Sequence, residues 1–205
     1  MLTAAAGASC RTAGVEPATQ IVQPGAPGEA SRVIAARAAS DLSKVQYTAA
    51  DVTFMQGMIG HHAQAVEMVA LMPSRTASRD MGMLGQRIEA SQTDEINMMQ
   101  RWLEVRGQVL PDPHAHHMRG ATLMPGMLTE EEMGRLAEAK GVEFDRLFLE
   151  GMIKHHAGAL TMVKELFDTP GAGQESETFA FASDVDADQR IEINRMGAML
   201  TELQK

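Results

Sequence analysis

The sequence predicts an all-α protein, a four-helix bundle made of two duplicated helical hairpins, on three observations. First, Ala, Met, Leu, Glu and Gln abound while only 4% of residues are aromatic and β-branched runs are scarce, a balance that favours helix over strand. Second, Gly57–Met68 reads GMIGHHAQAVEM and Gly151–Met162 reads GMIKHHAGALTM, with eight of twelve positions identical. Third, EINMMQRWL (Glu95–Leu103) recurs as EINRMGAML (Glu192–Leu200), with Gln92 and Gln189 each three residues before the Glu. A segment pair that recurs in the same order is a duplicated helix–turn–helix unit, and two such units make a bundle.

Taken along the chain, residues 1–30 read as a leader and linker and residues 31–47 (SRVIAARAASDLSKVQY) as an extra short helix. Residues 48–205 form the bundle: repeat one at 48–107, a connection at 108–141, and repeat two at 142–205. The first helix starts at Thr48, where Asp51 completes a capping box, and must end before Pro73. Its hairpin partner spans about Arg79 to Arg106 with Gly107 as its stop. In the connection, Thr129 and Glu132 box the start of a short linking helix that Gly141 ends. Helix three covers about Val142 to Phe167 and is broken by DTPGAG; helix four covers about Glu177 to Leu203.

Composition narrows the function. The 205 residues are 44% hydrophobic, enough for one sizeable core, and no run approaches the roughly 18 apolar residues of a membrane span. A formal net charge of −9 disfavours nucleic acid and anionic membranes and mildly favours cations. No Ser/His/Asp set, phosphate loop or CxxC is present, which leaves hydrolase, nucleotide-binding and thiol-redox functions unsupported. There are 17 methionines, and all seven histidines fall in three clusters, at 61–62, 114–117 and 155–156.

The single cysteine, Cys10, excludes an internal disulfide. MLTAAAGASC resembles the end of a bacterial lipoprotein signal whose cysteine carries the lipid, although Gly7 stands where Leu is usual and no basic segment precedes it. The expectation is an exported, extracytoplasmic protein, periplasmic or at the cell surface, lipid-anchored through Cys10.

Helical periodicity places Phe54, Met58, His61, Ala65, Met68 and Met72 on one stripe, and Phe148, Met152, His155, Ala159, Met162 and Leu166 on its copy. His61 and His155 therefore face the core, and His62 and His156 lie about 100° round, on its flank. The second helix of each hairpin carries Gln92 and Glu95, or Gln189 and Glu192, in mid-stripe. Folding each hairpin about its turn brings Gln92 level with His61 and Glu95 with Met58, and Gln189 level with His155 and Glu192 with Met152. A buried carboxylate needs a cation: a protonated His, an Arg or a bound metal. Thioether sulfur is a poor ligand for Zn²⁺, Mg²⁺ or Ca²⁺ and a good one for Cu(I); imidazole binds both copper states, and a carboxylate helps hold Cu(II).

The segments GMIGHHAQA, GMIKHHAGA, MPGML, FDRLFLEGMI and the two EIN repeats resemble domain-of-unknown-function family 305, over about residues 45–205. The resemblance implies a ferritin-like helical bundle and an exported bacterial protein that binds copper through Met and His. For some members it implies a role in copper tolerance, and it brings no general enzymatic activity. Its motif falls on Met58, His61, His62 and Met68, and on Met152, His155, His156 and Met162. With Glu95 and Glu192 these are the candidate ligands for copper, as Cu(I), Cu(II) or both, with no organic cofactor.

A second candidate lies in the connection, where His114, His116, His117 and Met118 (HAHHM), followed by Met124 and Met127, have the spacing of a flexible metal-capturing segment. A donor or acceptor protein for the copper, and a homodimer built on Met-rich flanks, complete the expected partners. Two other readings stand beside copper sequestration, buffering or relay. One is a ferritin-like di-metal redox enzyme, although such sites use Glu-x-x-His and this chain offers Gln-x-x-Glu and Met-x-x-His-His. The other is a metal-free structural bundle whose core His–Glu pairs set the register.

Overall fold

The computed structural model describes residues 20–23, 30–36, 45–114 and 123–205. The chain forms two compact units, Met1–Lys44 and Val45–Lys205. In the first, β1 (Gln20–Gln23) pairs antiparallel with β2 (Arg32–Ala35), in a register that sets Ile21 opposite Ile34 and Val22 opposite Val33. This corrects the helix expected over 31–47 at residues 32–35 only; Ala36 is helical. Arg32–Ala35 is a strand because its β-branched residues meet β-branched residues directly across the pair; residues 37–44 lie outside the described ones.

The second unit is the bundle: α1 (Ala49–Ala70), α2 (Arg79–Val105), the short α3 (Glu130–Glu138), α4 (Gly141–Asp168) and α5 (Ser176–Leu203). Thr48 and Asp51 form the expected capping box, and Thr129 and Glu132 form theirs. A 3₁₀ turn at Met72–Ser74 takes up Pro73 after α1. Gly107 has φ +64° and closes α2. Gly141, also at positive φ, opens α4 rather than ending α3. Its N–H donates to Arg75 O at 2.7 Å and so ties the linking segment to the first hairpin turn.

α1 packs on α2 and α4 on α5, and the hairpins join through α1 against α4. The core divides into two clusters. One gathers Phe54, Met55, Met58 and Ile59 of α1 with Ala159, Met162, Val163 and Leu166 of α4. The other gathers Ala65, Met68 and Val69 with Phe144, Phe148, Leu149 and Met152. Residues before His61 thus meet residues after His155, and the reverse, so the two helices run antiparallel and cross at the histidines. The hairpins are also latched at one end. Asp51 Oδ1 accepts from Gly173 N at 2.6 Å, Trp102 Nε1 donates to Glu175 Oε2 at 3.3 Å, and the Arg106 guanidinium lies 4.3 Å over the Trp102 ring.

Candidate metal centre

All four motif histidines are buried, none more than 1% exposed. The imidazoles of His61 and His155 stack at the crossing, with ring centroids 3.9 Å apart and planes tilted by 37°. His61 Nε2 donates to Pro125 O at 2.9 Å, and His155 Nε2 donates to His61 O at 2.9 Å. A carbonyl only accepts, so both rings carry their proton on Nε2. Burial holds His155 well below the ordinary histidine range, and the neighbouring His61, His156 and His62 push it the same way. It is therefore neutral at neutral pH.

The flank histidines are not at the side of the bundle. His62 and His156 point into the interfaces within their own hairpins, where His62 Nε2 meets Glu95 Oε2 at 2.5 Å and His156 Nε2 meets Glu192 Oε2 at 2.6 Å. This corrects the expected levels by about one turn in both hairpins: Glu95 and Glu192 pair with His62 and His156, not with the levels of Met58 and Met152. Long side chains lean toward the N-terminus of their own helix, so antiparallel neighbours meet through residues displaced C-terminally from the backbone level. The two carboxylates lie at the rim, 16% and 17% exposed. Ser91 Oγ donates to the other oxygen of Glu95 at 3.1 Å. Asp188, one turn before Glu192, has its carboxyl raised by burial and then by Glu95, Glu192 and Asp184.

Within each hairpin interface two buried polar atoms have no hydrogen-bond partner among the described residues: His62 Nδ1 and Gln92 Oε1 in one, His156 Nδ1 and Gln189 Oε1 in the other. They are the same two positions of each repeat. Among the described residues no three His, Cys, Asp or Glu side chains converge tightly enough to hold a metal ion by themselves.

The candidate methionines do not gather at one point. Met58 and Met162 belong to one apolar cluster and Met68 and Met152 to the other, on opposite sides of the histidine layer. In the connection, His114 Nδ1 bonds Glu67 Oε1 at 2.8 Å on the surface, while His116, His117 and Met118 lie outside the described residues, as does Cys10.

What the motif reading missed is how the connection is seated. Residues Met124–Leu128 lie as a strap across the α1–α4 seam. Gln64 grips it through two bonds, Nε2 to Leu128 O at 2.9 Å and Leu128 N to Oε1 at 2.7 Å. Gly158 makes room for it: a Cβ there would stand 1.9 Å from Pro125 O, and one on Gly126 (φ +77°) would stand 2.5 Å from Lys154 O. Gln64 and Gly158 are equivalent positions of the two repeats, and their mismatch was the available signal. One strap crossing a twofold seam needs a grip on one side and a gap on the other.

A family model, the domain of unknown function DUF305, matches residues 51–200. The chain belongs to this family. Solved DUF305 structures share the fold. One, from Streptomyces coelicolor and provisionally described as secreted, is 30% identical over 76% of this chain and 92% of its own, with a TM-score of 0.64. A fragment from Deinococcus radiodurans is 30% identical over 76% of this chain and 98% of its own, also at 0.64. CopM, solved in a Cu(I)-bound form, is 25% identical over 77% of this chain and 98% of its own, at 0.58. No curated protein matches the sequence significantly. None of the described helices is long and apolar enough to cross a membrane.

Proposed function

We propose that this DUF305 protein binds copper in its helical bundle and sequesters, buffers or relays it outside the cytoplasm, without catalysing a reaction. The observation that carries the reading is the pair of buried histidines, His62 and His156, each with Nε2 on a carboxylate and Nδ1 without a partner. Metal-ligating histidines characteristically donate their second ring N–H to a carboxylate, which fixes the tautomer and leaves the other nitrogen's lone pair for the ion. On this reading His62 and His156 bind through Nδ1, and Glu95 and Glu192 orient them rather than ligate. His155, neutral and protonated on Nε2, offers a further imidazole nitrogen, and the methionines lining both clusters make the surroundings soft, which favours Cu(I) over Zn²⁺. The Cu(I)-bound relative supports the choice of metal.

The redox-enzyme reading loses ground because the carboxylates are engaged with histidines. The structural reading keeps the His–Glu pairs as register devices, and substitution separates it from ours. A His62→Ala/His156→Ala double variant that keeps its fold loses most Cu(I) under the copper reading, and loses only thermal stability under the structural one. An extracytoplasmic address, a lipid on Cys10, a copper-exchanging partner protein and a homodimer all belong to this proposal. Metabolic labelling with a fatty acid, compared with a Cys10→Ser variant, tests the anchor.

A further inference from the structure

The strap has its own near-twofold arrangement. Gly126 sits at its centre, Met124 on one side and Leu128 on the other, and each side lies over an equivalent glycine. A methyl group built on Gly57 would stand 3.3 Å from Met124 Sδ and 3.4 Å from Met162 Cε; one built on Gly151 would stand 3.1 Å from Leu128 Cδ2 and 3.3 Å from Met68 Cε. Met68 and Met162 are the same position of the two repeats, so what differs is the strap residue: Leu on one side, Met on the other.

The surroundings differ as well. Leu128 and Met68 are 4% and 0% exposed and simply fill the core. Met124 is half-buried, and with Met162 it borders an open groove of about 410 Å³ lined also by the apolar Phe54 and Leu166 and the polar Thr53, Glu165 and Thr169. The Leu128 side borders a smaller groove of about 270 Å³ whose lining is largely charged, with Glu132, Arg135, Arg146, Glu150 and Lys154. On the other side Met124 brings a second thioether to the place over Gly57 where the Met162 chain ends, beside the larger groove.

We propose that Met124 and Met162 form a surface-accessible bis-thioether site for a soft monovalent cation, Cu(I) or Ag(I). Two neutral sulfurs in a mainly apolar groove suit a soft ion better than a hard hydrated one, and Glu165 at the lining adds a negative charge that draws a cation in. Gly57 lets the two chains approach, and the unbranched methionine side chain turns its sulfur without moving the backbone. The site adjoins the buried histidines: Met124 Cε lies 3.4 Å from a methyl built on Gly60, and the next carbonyl along the strap, that of Pro125, holds His61 Nε2. An ion captured here stands one residue along the strap from the His61–His155 stack, which makes this a loading position for the centre. The natural ion rests on the proposed copper function; the thioether site does not.

The test is a competitive Ag(I) titration of the full chain, Ag(I) being soft and redox-inert, on wild type, Met124→Leu, Met162→Leu and, as a control, Met83→Leu at an exposed methionine of α2. Met-to-Leu exchanges conserve volume, and circular dichroism with a thermal melt establishes folding. Loss of one Ag(I) equivalent, or at least tenfold weaker binding at one site, in both Met124→Leu and Met162→Leu, with Met83→Leu like wild type, is the expected result. Unchanged Ag(I) binding in a folded Met124→Leu, or no Ag(I) binding by wild type, overturns the site. Failure of the histidine centre reads differently: Ag(I) binding then still depends on Met124 while His62→Ala/His156→Ala leaves copper binding unaltered.

Discussion

The chemistry of this protein turns on individual nitrogens. Each of His62 and His156 is buried with Nε2 committed to a glutamate, which leaves Nδ1 as the atom a ligand would use. Glu95→Leu removes the acceptor and leaves a buried N–H unpaired, at a cost of about 1–3 kcal/mol. Glu95→Gln keeps an acceptor, so its melting temperature stays near wild type while copper affinity falls about 10–100-fold, as for other outer-shell partners. Equal copper affinity in the Gln variant would remove the orienting role.

His155 sets the pH response. Its folded-state pKa is depressed below the ordinary 6.5, so as pH falls past that value the unfolded chain takes up a proton that the folded one refuses. Stability therefore declines on acidification, by up to about 1.4 kcal/mol per pH unit from this group. Urea midpoints between about pH 7.5 and 5.5 should fall, and fall less in His155→Gln; a flat profile would contradict the burial argument.

At the scale of elements, the strap and the helices under it fit only as a set. Gly158→Ala forces a methyl to within 1.9 Å of Pro125 O, and neither partner is a flexible side-chain end. The expected loss is about 1–3 kcal/mol or more, together with the His61–Pro125 bond, read as a lower melting temperature. Gly197→Ala in α5 is the control, since nothing lies within 4 Å of its Cβ; the better helix former should gain about 0.5–1 kcal/mol.

The helices themselves were legible in the sequence because their signals are local: the capping pairs at Thr48–Asp51 and Thr129–Glu132, and Gly107 after α2. The register between helices was less so. Backbone levels place Glu95 opposite Met58, whereas side-chain lean carries it to His62. Gln64 and Gly158 were visible only as mismatches between repeats, because their partner is a strap 64 positions from Gln64, and no local periodicity encodes that contact. The β1–β2 pair was missed because a four-residue strand leaves too short a pattern beside the helix-favouring alanines that follow it.

For the whole molecule, duplication supplies two equivalent polar positions and the single strap makes them unequal. The α1–α4 crossing buries the histidine layer between two apolar clusters, which on the proposed copper reading leaves the strap side and the His–Glu rims as the routes for an ion. The rims are acidic: burial raises the Asp188 carboxyl, and Glu95, Glu192 and Asp184 stand near enough to raise it further, and the chain's net charge of −9 acts in the same sense, drawing cations toward the bundle.

The most direct test is a competitive Cu(I) titration of the full chain, with Zn²⁺ as control, beside the His62→Ala/His156→Ala variant. Tight stoichiometric Cu(I) binding by wild type, weak Zn²⁺ binding, and loss of most Cu(I) in a variant that still melts cooperatively is the predicted result. A wild-type chain that binds no Cu(I) tightly, or a folded variant that binds it as well as wild type does, would contradict the account and leave the paired histidines as register devices of the core.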